Sequence, residues 1–130
     1  INGLPDISSL PHTSDYSNMS DGSIADRARS WIDINCAHCH RLGAPGETSG
    51  LLLNIEETNL TKLGVFKPPV AAGRGSGNRL HTIVPGKPNE SIMIYRMESR
   101  DPGIMMPELG RKLVDKEGVE LVRAWIKNMK

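Results

Sequence analysis

Asn35-Cys36-Ala37-His38-Cys39-His40 is the stretch from which the rest of the chain is read. Two thiols three positions apart stand one helical turn from each other on one side of a helix, and a histidine follows at once. Cys36-x-x-Cys39-His40 is an attachment signature for a c-type haem. In that chemistry each thiol forms a thioether to a haem vinyl group, and the histidine binds iron from the proximal face. A structural zinc site would need four ligands. The chain has no second cysteine pair, and His12, His38 and His81 lack paired spacing. A thioredoxin-like redox pair belongs in a βαβ setting, whereas the flanks here are helical on one side and glycine-rich on the other. With only these two cysteines, a disulfide framework is not expected. We expect one covalent haem c on Cys36 and Cys39, with His40 as an axial iron ligand.

Upstream of the motif, Ser23 reads as an N-cap with Asp26 in a capping-box position. Ile24, Ala28, Trp31, Ile32 and Asn35 follow at helical spacing, which predicts a helix over about Ile24 to Ala37. Residues 1–22 show no period and read as an irregular lead-in to a domain over 23–130. Downstream, Gly43, Pro45, Gly46 and Gly50 break the helix, and 41–88 reads as a long irregular segment. A second helix is expected to carry Pro88 in its first turn and to run through Ile92, Met93, Tyr95 and Met97 until Asp101-Pro102-Gly103 stops it. Asp115 caps a third helix, whose apolar stripe is Val119, Val122, Trp125, Ile126 and Met129. The fold class is thus all-α. Trp31 and Trp125 lie on the stripes of the first and third helices, so those two helices should cross in contact.

Met and His are the usual protein ligands for the other face of such an iron. Met106, in the loop Gly103-Ile104-Met105-Met106-Pro107, is the preferred candidate. Pro107 biases the residue before it toward an extended backbone, which can hold a thioether outward. Met105 is the alternative within the pair, and His81 is the rival outside it. His38, inside the attachment loop, should point to solvent. Gly73-Arg74-Gly75-Ser76-Gly77-Asn78-Arg79 resembles a phosphate loop only superficially, since it lacks the Gly-Lys-Ser/Thr ending. Its two arginines could instead face haem propionates, or the loop could be plain solvated surface.

Composition agrees with a chain built around a cofactor. Of 130 residues only 4% are aromatic, little bulky material for a core of this size, and a large apolar ligand would fill the shortfall. The formal charge of +1 gives no global case for nucleic acid. No apolar run approaches the roughly 18 residues of a spanning helix. The chain starts at Ile1, so we read it as a mature form or as one domain of a larger precursor. Charge is uneven along it. Lys62, Lys67, Arg74, Arg79 and Lys87 fall in a stretch without Asp or Glu, which suggests a basic docking face near an exposed haem edge.

With these elements in hand the chain resembles a class I c-type cytochrome. Asn35 to His40, Met106-Pro107 and Leu121 to Ile126 (LVRAWI) carry the likeness over residues 23–129. More narrowly, PVAAGRGSG (69–77), residues 83–111 and LVRAWI resemble haem domains of larger secreted bacterial proteins. The resemblance implies three main helices around one haem and single-electron transfer by a His40/Met106-ligated iron. It implies a redox protein as donor or acceptor, and a periplasmic or extracellular location. A filled sixth position leaves no site for a substrate, so the chain itself is expected to be a carrier and not an enzyme. The alternative is a gas-binding or peroxidatic haem domain with an open or labile sixth site. A proline about a dozen residues after the motif often anchors the proximal histidine in that family; Pro45 comes too early to be given that role.

Overall fold

The computed structural model describes residues 3–9, 13–108 and 113–130. His12 and the 109–111 end of the 83–111 likeness lie outside them. Three α-helices form the frame, with no strand among the described residues. α1 spans Ile24–Cys36. The Ser23 hydroxyl accepts the Asp26 N–H at 3.0 Å, and the Asp26 carboxylate accepts the Ser23 N–H at 3.2 Å. This is the reciprocal cap the sequence predicts. Ala37 is the C-cap, one residue short of the expected end. The Cys39 and His40 amides both bond the Cys36 carbonyl, at 3.2 and 2.9 Å, so the chain winds on for one more turn through the motif.

The second helix differs from expectation. Pro88–Glu90 is a separate 3-10 turn, Ser91 is extended, and α2 proper is Ile92–Glu98. The interruption has a cause. Ser91 is fully buried, and its hydroxyl donates to the Lys87 carbonyl at 3.0 Å while accepting the Val84 N–H at 2.9 Å. A continuous helix would forfeit that knot, and two main-chain groups would lose their partner. α3, Lys116–Lys127, begins as predicted, with an Asp115 carboxylate oxygen accepting the Gly118 N–H at 2.9 Å.

α1 packs on α3, and α2 packs on α3. Ala28, Trp31 and Ile32 of α1, Ile94 and Met97 of α2, and Val122, Trp125 and Ile126 of α3 share one core with Leu53, Leu63 and Ile83 from the long connection. Both tryptophans are buried. The Trp31 indole N–H donates to Asp115 at 2.9 Å, so a residue of α1 bonds the cap of α3.

The 41–88 segment is irregular, as predicted, but it is pinned. Leu53 N–H bonds the His40 carbonyl at 2.8 Å, Phe66 N–H bonds Ile83 at 2.9 Å, and Ile92 N–H bonds His81 at 3.1 Å. Two isolated parallel bridges, Val65 with Ile83 and His81 with Ser91, are its only ladder-like pairings among the described residues. Arg27 ties the lead-in to α1 by donating twice to the Tyr16 carbonyl. Among the described residues no helix is long and apolar enough to cross a membrane.

Candidate functional site

The last residue of α1 and the turn that follows it open onto a cleft. Ile32, Leu51, Leu53, Ile92, Met93 and Met97 give it apolar walls, and Cys36, His40 and Met106 all border it. Cys39, one turn beyond Cys36, is half-buried but not on the lining. Burial, with Cys39 close by, pushes the Cys36 thiol up to about 12, so this sulfur is a neutral thiol at pH 7.

His40 is held by the turn that follows it. Its Nδ1 lies 3.0 Å from the Ser49 hydroxyl, which itself sits 2.7 Å from the Gly46 carbonyl. A hydroxyl has one proton. Donated to Gly46, it leaves Ser49 an acceptor toward His40, so the imidazole carries its proton on Nδ1 and presents Nε2 bare. Burial of the ring and the Arg96 guanidinium beside it hold His40 below its ordinary pKa. A neutral imidazole of fixed tautomer is the form that ligates a metal. Gly46 is there for close approach. A Cβ on it would stand 2.8 Å from the Cys39 carbonyl and 3.0 Å from His40 Nδ1.

The structure separates the candidates for the second ligand. Met106 reaches the cleft lining; Met105 and His81 do not. The His81 ring instead meets Phe66 edge-on at 5.6 Å, and His38 is exposed. The Met106–Pro107 peptide is cis.

The arginines of the glycine-rich turn do not face the cleft. Arg74 pairs with Asp101. Arg79 donates to the Asn89 carbonyl at 2.9 Å and lies 4.4 Å over the Tyr95 ring. Among the described residues the cations on the cleft wall are Lys67 and Arg96; no carboxylate is on the lining itself, and Glu108 is near enough for its charge to act on both Arg96 and His40. The basic stretch is thereby divided: Lys87 pairs with Glu90, Arg74 and Arg79 are engaged locally, and Lys67 alone of the five borders the cleft.

Among the described residues no three His, Cys, Asp or Glu side chains gather as a metal site would. The donors are the His40 imidazole, the Cys36 thiol and the thioethers of Met93, Met97 and Met106 on an apolar cleft with two cations, and the Cys39 thiol one turn beyond the lining. That set fits a covalently held haem: thiols for the vinyl groups, nitrogen and sulfur for the iron, and positive charge for two carboxylates. Ser49, Gly46 and Arg96 escape sequence reasoning, because nothing in their spacing marks them as neighbours of His40. Comparison with protein-family models, with curated proteins and with solved structures gives no match to this chain.

Proposed function

We propose that this chain is a monohaem c-type cytochrome domain that passes single electrons between redox proteins. The observation that carries this reading is the joint placement of Cys36, His40 and Met106 on one apolar cleft, with Cys36 and His40 drawn from an intact C-x-x-C-H motif at the end of a helix. When bound, the haem iron supplies reversible exchange between ferrous and ferric states. Cys36 and Cys39 tether the group, His40 offers Nε2, and Met106 offers its thioether. Apolar walls keep water from the centre, and with a Met ligand they favour the ferrous form. Lys67 and Arg96 offer charge to the propionates. The cytochrome c-like arrangement, the role of carrier and not enzyme, and a periplasmic or extracellular location all belong to this same proposal. Location follows because thioether attachment in bacteria is carried out by dedicated machinery outside the inner membrane.

Two thioethers survive denaturation. Protein produced with that machinery should therefore keep its haem through acid–organic extraction. Cys36→Ser with Cys39→Ser should release it into the solvent phase. Haem extracted from the parent chain would overturn the proposal.

Ser49 provides a finer test. An acceptor on Nδ1–H makes the imidazole a stronger donor, which favours ferric iron. Ser49→Ala should raise the midpoint potential by on the order of tens of millivolts, 59 mV being tenfold for one electron. Redox titration checks it, and an unchanged potential would mean that the Gly46 carbonyl takes the proton unaided.

A further inference from the structure

The glycine-rich turn that sequence analysis left without a role packs on the loop that carries Met106. It forms a 3-10 turn, Gly73–Ser76, closed by Gly77 in the left-handed region. Two arginines cross between turn and loop in opposite directions. Arg74 leaves the turn and pairs with Asp101, lying so close over Gly103 that a Cβ there would collide with its guanidinium. Arg96 leaves α2 and passes over the buried Gly75, where a Cβ would stand 3.3 Å from its Cζ.

Arg96 holds the loop at two points. Its Nε donates to the Ile104 carbonyl at 2.8 Å, and its own carbonyl accepts the Met106 N–H at 3.1 Å. Asp101 anchors the near end, its main-chain oxygen accepting the Ile104 and Met105 amides at 2.9 and 2.8 Å. Gly75 and Gly103 stand where a guanidinium passes, whereas Gly73 faces open space and is set apart by its positive φ of 53°.

We propose that the 73–77 turn and Arg96 form a clasp that positions Met106 on the cleft, with Arg74 and Asp101 as its exposed latch. This rests on the haem reading above, in which Met106 is the distal ligand. Arg74 is a positioning residue, acting on the iron through the loop alone; Arg96 positions the loop through its Nε and carbonyl and also borders the cleft itself. Opening the clasp lets the 101–106 loop leave the cleft and frees the sixth position for an outside ligand.

Two measurements test it. The first is binding of imidazole to the ferric protein, which competes with the thioether and bleaches the Met-to-iron charge-transfer band. Loss of the half-buried Arg96 hydrogen bond in Arg96→Leu should tighten imidazole binding on the order of tenfold. Arg74→Ala and Asp101→Ala should each tighten it about two- to fivefold, as for an exposed pair. Their double variant should add nothing beyond either single one. Arg74→Lys should restore most of the parent behaviour, and Arg100→Ala, which removes a charge one residue from Asp101, should change nothing.

The second is amide hydrogen exchange at Met105 and Met106, measured against the α1 amides of the same variant. It needs no iron ligation, so it judges the clasp even if the haem reading fails. In Arg96→Leu and Arg74→Ala these two amides should exchange faster while α1 is unchanged. Local protection unaltered by either variant would overturn the clasp. Faster exchange with imidazole affinity unaltered would overturn the positioning of Met106. A parent protein without the Met-to-iron band would instead sink the ligand assignment and leave the exchange result to decide the clasp alone.

Discussion

Met106→Ala should abolish the Met-to-iron charge-transfer band of the haem-loaded protein, turn the iron high-spin or water-bound, and lower its potential. A thioether stabilises ferrous iron, and replacing it with water removes that preference. Axial ligation is among the strongest levers on haem potential, so the fall should be on the order of 100 mV or more. Met105→Ala should leave the band in place, because Met105 does not reach the lining that Met106 shares with His40. Optical spectra and redox titrations of the two variants, side by side, decide it. Loss of the band in Met105→Ala alone would assign the neighbour. Loss in neither would direct attention to His81, whose removal from the cleft wall and contact with Phe66 make that outcome hard to reconcile with the geometry. The same pair of variants weighs the alternative of an open sixth site. A parent already high-spin, and unaffected by either change, would favour a gas-binding or peroxidatic domain.

What the sequence made legible was whatever is written locally. The capping box of Ser23 and Asp26 starts α1, Asp115 starts α3, and the apolar stripes meet where Trp31 and Trp125 predict. Three to four residues suffice to encode a cap, and a stripe encodes its own direction. Pro88 misled for an instructive reason. Proline suits the first turn of any helical segment, and nothing local told a 3-10 turn from the start of α2. The difference lies in Ser91, whose hydroxyl serves Val84 and Lys87 and cannot cap the helix it precedes. The arginines were open to two readings. Arg74 and Arg79 sit in a glycine-rich turn that suits either propionates or plain solvent, and their partners, Asp101 and the Asn89 carbonyl, are 27 and 10 residues away. Arg96, in an apolar helix with nothing to single it out, reaches the cleft instead. Glycines chosen for close approach, as at Gly46 and Gly75, have meaning only once their neighbours are known. Cys36, His40 and Met106, which border the cleft, were therefore legible as candidates, and the groups packed around them were not.

Truncating Trp31 to alanine should cost about 3–5 kcal/mol, a large share of the roughly 5–15 kcal/mol that a domain has. The indole is 3% exposed and fills the crossing of α1 and α3. Its N–H also bonds the Asp115 carboxylate, whose other oxygen caps α3 through Gly118. Gly118 lies flat against the ring: a Cβ there would stand 2.4 Å from Trp31 Cε2. Glycine inside a helix costs roughly 0.8–1.0 kcal/mol relative to alanine, so Gly118→Ala would stabilise α3 if propensity alone ruled. We expect the opposite sign in the parent, because overpacking against a fixed ring costs about 1–3 kcal/mol. In the Trp31→Ala background the obstruction is gone, and Gly118→Ala should then stabilise the chain by about the propensity difference. Urea unfolding of the four proteins gives the coupling directly. If Gly118→Ala costs the same in both backgrounds, the ring is not what demands glycine there. If Trp31→Ala leaves the midpoint near that of the parent, the crossing of α1 and α3 does not depend on the indole.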